Sequence, residues 1–113
     1  MVRTDALHEM AADLGAEVAR NFALLYLDML DDRLEKLRTA LAADDPAATL
    51  TSAVSLHTAS WMVGADGMAE AVRGLADLAR RQDLAGARHT LPALEELVPA
   101  VALALRQAIS DLT

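Results

Sequence analysis

The sequence predicts an all-α protein: an antiparallel up-and-down four-helix bundle preceded by one short extra helix. Three observations predict it. The chain has 113 residues and is 54% hydrophobic but only 3% aromatic. Its core must therefore come from Leu, Ala, Val and Met, and Ala and Leu favour helices over strands. Apolar residues recur at alternating steps of three and four, which is the period of one helix face. The breaks between these periodic segments are short, as in bundles whose neighbouring helices run antiparallel. The length suits a single domain spanning 1–113. Such a chain buries roughly two thirds of its unfolded surface, enough to fold without a staple. It has no cysteine, which removes disulfides and thiolate metal sites and suits a reducing compartment.

Each element follows from its breakers and its stripe. Gly15 separates a short segment, 4–14, from a long one. In the second segment Ala23, Leu27, Leu30, Leu34, Leu37 and Leu41 form one face. Phe22, Leu25, Tyr26 and Met29 widen it, and Asp31, Asp32, Arg33, Glu35, Lys36 and Arg38 fill the outer side. Glu35 and Arg38 are spaced to pair across one turn. This reads as a helix over 16–43. Asp45 is a good N-cap, and Pro46 fits the first helical position, where its missing N–H costs nothing. A third helix runs from 46 to about 63. Gly64-Ala65-Asp66-Gly67 breaks the chain, with Asp66 placed to cap a fourth helix that turns Met68, Val72, Leu75 and Leu78 inward. That helix closes at Arg80-Arg81-Gln82-Asp83. The last segment carries Leu84, Ala87, Leu91, Leu94, Val98, Val101, Leu105, Ala108 and Leu112 in one register. Pro92 and Pro99 each remove a hydrogen bond, so the reading is one bent helix, with a break at Leu91 as the alternative.

Composition excludes several function classes. The formal charge is −7 with no basic run, so neither nucleic acid nor an anionic membrane is an expected partner. The opening residues do not lead into a signal-peptide core, and no stretch of about 18 apolar residues exists to span a bilayer. The expectation is a cytoplasmic protein. Bundles often hold metals through Glu-x-x-His pairs, but no Glu precedes His8, His57 or His89 by three, so no metal and no cofactor is expected. The glycines at 64 and 67 lack the Lys and the spacing of a phosphate loop. Ser55 and Ser60 lie within a turn of His57, but no acid or oxyanion donor is placed with them to make a triad.

The third helix is the unusual one, because it carries two apolar stripes. Thr49, Ala53, Leu56, Ser60 and Val63 form a mostly small stripe; Leu50, Val54, His57 and Trp61 form a larger one. A helix apolar all round is either fully buried or covers its second face with a partner. Spacing alone favours burying the larger stripe, which would make His57 a core histidine bonded to a neighbour and Trp61 a core residue.

The stretch from Asp45 to about Arg80 resembles the histidine phosphotransfer (HPt) domain family, whose signature reads roughly A-H-x-L-K-G-S-S-x-x-x-G-A-x-x-L. Ala53, Leu56, Ser60, Gly64 and Ala65 match it outright, Ala59 is a close small substitute, and Met68 fills the closing apolar position. Phe22 and the Leu-rich run to Leu41 look like the family's second helix, and the segment from Asp83 looks like its last. The resemblance implies the same bundle, with the strip Leu50, Val54, His57, Thr58 and Trp61 facing outward to dock a receiver domain or a histidine kinase.

The departures fall on the chemistry. Val54 stands where the family has its phosphate-accepting His, His57 where it has Lys, and Thr58 where it has Gly. Val has no nucleophilic atom. The resemblance thus implies a phosphorelay module that binds its partner without passing phosphate. One alternative is an active phosphotransfer protein with His57 as acceptor, displaced by about 4.5 Å along the helix axis and turned by about 60° from position 54. Another is a structural homodimer that buries the Trp61 face. His8 and His89 lie outside the motif and read as surface or helix-end residues.

Overall fold

The structure, a computed structural model, describes residues 2–112. Among them are five helices and no strand: α1 (Thr4–Leu14), α2 (Ala16–Ala42), α3 (Pro46–Met62), α4 (Asp66–Arg80) and α5 (Leu84–Asp111). α3 packs between α2 and α4, α5 packs against both α4 and α2 to close the bundle, and α1 lies against α2 and touches α5. The result is a rod of 43 × 23 × 19 Å.

Helix starts follow the expected chemistry in two places. The Asp45 side chain accepts from the Ala48 amide at 3.0 Å, and Pro46 takes the first turn of α3. Asp83 caps α5 in the same way, accepting from the Gly86 amide at 2.9 Å. Asp66 departs from expectation. It is the first residue of α4, not its cap, and Ala65 before it makes no side-chain bond. The Asp66 carboxylate instead accepts from Arg3 Nε at 2.9 Å, so a long-range ion pair has taken it from the capping role.

Three helices end alike. At the end of α2, Asp44 N–H donates to Leu41 and Asp45 N–H to Ala40. After α3, Gly64 N–H donates to Trp61 and Ala65 N–H to Ser60; after α4, Gln82 N–H donates to Ala79 and Asp83 N–H to Leu78. This paired closure places one residue in the left-handed region. Those residues are Asp44 at φ 52°, Gly64 at φ 80° and Gln82 at φ 60°. It stops each helix and turns the chain back antiparallel.

α5 is continuous through Pro92 and Pro99, so the break at Leu91 does not occur. Both prolines are exposed. Water can take the carbonyls they release, and the helix keeps Leu84, Ala87, Leu94, Val101, Leu105 and Ala108 buried along one side. The core is aliphatic, with Leu7, Leu34, Leu37, Leu56, Met68, Leu75, Leu94 and Leu105 all sealed from solvent. In α2 the widening residues divide. Tyr26 is buried, Phe22 is half-buried, and Leu25 and Met29 are exposed.

Candidate functional site

α3 settles which of its stripes is core. Thr49, Ala53, Leu56, Ser60 and Val63 are buried, each at 0% exposure, and the larger stripe turns away. The expectation from spacing alone, that the larger stripe is buried with Trp61 in the core, is therefore wrong. The physical reason is that α3 has neighbours on both flanks. Small residues at 53 and 60 let α2 and α4 close in on it, and Leu56 and Val63 fill what remains. The two buried hydroxyls are satisfied. Thr49 Oγ1 donates to the Asp45 carbonyl at 2.8 Å, and Ser60 Oγ lies 2.8 Å from Tyr26 Oη. Left unpaired, either would cost about 1–3 kcal/mol. Burial pushes the Tyr26 phenol above its ordinary value, against the smaller opposing effect of the Ser60 bond.

On the other side of α3, Val54 is 40% exposed, Trp61 54% and Met62 46%, and Thr58 is exposed beside them. Leu50 and His57 are half-buried. The His57 Nδ1 lies 2.9 Å from the Ala69 carbonyl of α4. A carbonyl only accepts, so Nδ1 donates, and in the neutral ring Nε2 then carries the lone pair. His57 is thus neither a core residue nor free: it is held at the α3–α4 edge with one nitrogen engaged. No serine joins it. Ser60 is taken by Tyr26, and Ser55 faces Arg33 of α2. His8 and His89 are both exposed. Among the described residues no group of three or more His, Asp or Glu is placed to hold a metal ion.

Sequence reasoning missed the residues that surround Trp61. The Arg3 guanidinium carbon lies 5.6 Å from the centroid of the indole ring, within reach of its π face. Arg3 is held there by its Nε bond to Asp66 and by its amide, which donates to the Gly64 carbonyl at 2.6 Å. That approach needs a glycine. A Cβ at position 64 would collide with the Arg3 carbonyl oxygen. Met10 and Leu14 of α1 line one groove with Trp61 and Met62, and Leu14 is 63% exposed. Nothing local in the sequence links Arg3 to Asp66 across 63 positions. The exposed apolar Met62, next to Trp61, was the one available signal.

The site is therefore an exposed apolar strip on the middle and end of one helix, extended by the edge of α1, with one anchored imidazole beside it. Its exposed side chains include Trp and Met, residue types enriched at protein interfaces. No helix among the described residues is long and apolar enough to cross a membrane.

Comparison with known proteins gives two findings. The family model described as Hpt domain matches residues 21–111. The fold is similar to that in the crystal structure of histidine-containing phosphotransfer protein B (HptB) from Pseudomonas aeruginosa PAO1. The TM-score is 0.88 at 22% sequence identity, over 97% of this chain and 95% of that one. No protein among curated sequences gives a significant match.

Proposed function

Because the chain belongs to the Hpt domain family, we propose that it is a phosphorelay module that docks a receiver domain or a histidine kinase without itself carrying phosphate. The observation that carries this reading is Val54. With Ala53, Leu56, Ser60, Gly64 and Ala65 laid on the family's motif, position 54 is the acceptor position, and it lies in the outward strip at 40% exposure. A branched aliphatic there keeps an apolar contact for a partner and removes the nucleophile. Phosphoryl transfer rests on placing a nucleophile in line with the phosphorus and stabilising its charge. A misplacement of about 1 Å can cost about a hundredfold in rate.

A second reading has one observation in its favour. The Ala69 carbonyl holds His57 Nδ1 and leaves Nε2 as the basic nitrogen, which is what an acceptor imidazole needs. His57 would then take phosphate in Val54's place. Against it stand its half-buried position and its displacement from the motif's acceptor position.

Titration of purified receiver and kinase domains from the same organism against the whole chain tests the docking role. At least one domain should bind, and Trp61→Ala should weaken it about 30-fold, as loss of an anchor worth about 2 kcal/mol would. A chain that binds none of them but forms a tight dimer dispersed by Trp61→Asp would replace this reading with a structural homodimer.

A further inference from the structure

Beside the apolar strip, on the α2 side of α3, lies a second concavity of about 200 Å³ with a different lining: Met29, Arg33, Lys36, Thr51, Ser52 and Ser55. Two cations and three hydroxyls converge there in a chain of net charge −7. The placement follows from periodicity. Arg33 and Lys36 are one turn apart on α2, Ser52 and Ser55 are one turn apart on the facing side of α3, and Thr51 lies at the rim.

Arg33 is the informative residue. The other arginines that bridge different elements of the fold meet a carboxylate: Arg3 meets Asp66, Arg38 meets Glu95 and Arg88 meets Asp44. Arg33 bridges α2 to α3, yet it reaches only neutral oxygens. Its Nη1 is 3.3 Å from the Ser55 carbonyl and 3.5 Å from Ser55 Oγ. Its Nε is buried with no acceptor. Among the described residues neither Arg33 nor Lys36 has an acidic partner. Two like charges one turn apart repel unless an anion lies between them. A buried guanidinium N–H without an acceptor is likewise an unmet hydrogen-bond donor.

We propose that Arg33, Lys36, Ser52 and Ser55 form an oxyanion site that takes a phosphoryl group, free or borne on a protein side chain. A tetrahedral oxyanion accepts from a guanidinium, an ammonium and hydroxyls at once, and those are the donors gathered here. The lining holds hydroxyls but no carboxylate or imidazole to deprotonate one, so the site binds the group and does not take it over. It stands on these residues alone and does not require the docking reading. Through Thr51 and Ser55 it borders Val54, so a phosphorylated partner seated on the strip would have its charged group within reach of the site.

The test is amide NMR on the full chain, titrated with inorganic phosphate at constant ionic strength set by sodium chloride. In parallel, a short phosphorylated peptide is titrated beside its unphosphorylated form. Saturable shifts centred on Arg33, Lys36, Thr51, Ser52 and Ser55 are expected, weakened at least tenfold in Arg33→Gln/Lys36→Gln. Lys36→Gln alone, at an exposed position, should weaken them several-fold and guards against a folding defect in the double variant. Binding of phosphate but not of phosphopeptide assigns the site to the free ion; preference for the phosphopeptide assigns it to a protein-borne group. Shifts that do not saturate, that also appear in the double variant, or that fall elsewhere on the bundle would overturn the proposal. Loss of docking by Trp61→Ala with phosphate binding intact would separate the two sites.

Discussion

At the scale of single residues, the account turns on which side chains face out. Val54 is 40% exposed, so Val54→Asp should change the unfolding free energy by no more than about 0.5 kcal/mol. The same change should abolish partner binding, and urea denaturation beside a binding titration checks both. Leu50 differs because it is half-buried and packs against the core; Leu50→Asp should destabilise the bundle as well as the contact. Tyr26 makes a pH prediction. Its folded-state phenol is raised by burial, so below the ordinary tyrosine value of about 10 it contributes fully. Above that pH the unfolded chain releases a proton that the folded chain keeps, and stability falls as pH rises. Tyr26→Phe should cost about 1 kcal/mol at neutral pH by stranding the Ser60 hydroxyl, and should flatten the alkaline loss. Unfolding midpoints measured from pH 8 to pH 11 give the answer. Trp61 is the chain's one tryptophan, so its fluorescence reads its own surroundings. Arg3→Ala uncovers one face of the ring and should increase quenching by acrylamide with little change in helicity. Unchanged quenching would mean that the guanidinium does not sit on the indole.

At the scale of helices, the three paired closures with left-handed residues set the loops, and two of them make predictions of opposite sign. Gly64 has φ 80° and backbone against it, so Gly64→Ala should destabilise by about 1–3 kcal/mol or displace the N-terminal segment. Gln82 adopts φ 60° with a Cβ, and Gln82→Gly should stabilise by about 0.5–1 kcal/mol in thermal melts. The helices themselves were legible in the sequence because their signals are local. Asp45-Pro46 starts α3, Gly15 parts α1 from α2, and an unbroken register carries α5 through two prolines. Asp66 was misread because its partner, Arg3, comes from the far end of the chain. The facing of α3 was not legible from spacing, since two stripes satisfy the same period and only the flanking helices choose between them. The motif resemblance turns Val54, Thr58 and Trp61 outward, as the structure has them, though Leu50 and His57 are half-buried; small residues at 53, 59, 60 and 64 record how closely the neighbouring helices approach. The partners of Arg33 were illegible for the same reason as Asp66, being assembled from two helices.

At the scale of the whole molecule, a closed aliphatic bundle presents two adjoining surfaces on one side of α3. One is apolar, with Val54, Trp61 and Met62; the other is cationic, with Arg33 and Lys36. Three side-chain bonds tie neighbouring elements together at this face. Tyr26 joins α2 to α3, His57 joins α3 to α4, and Arg3 joins the N-terminal segment to α4, so a partner meets a surface arranged in advance. On the proposed reading, such a module would compete for a receiver or hold it in place without draining its phosphate. The measurement that tests this most directly is exposure of the intact chain to a phosphorylated receiver that it binds, followed by assay for acid-labile phosphate on the wild type, His57→Gln and Val54→His. The account predicts no label on the wild type or on His57→Gln, with the receiver's own phosphate retained; label on Val54→His alone would add that only the nucleophile is missing. Acid-labile phosphate on the wild type that disappears in His57→Gln would contradict it and make the protein a transfer intermediate.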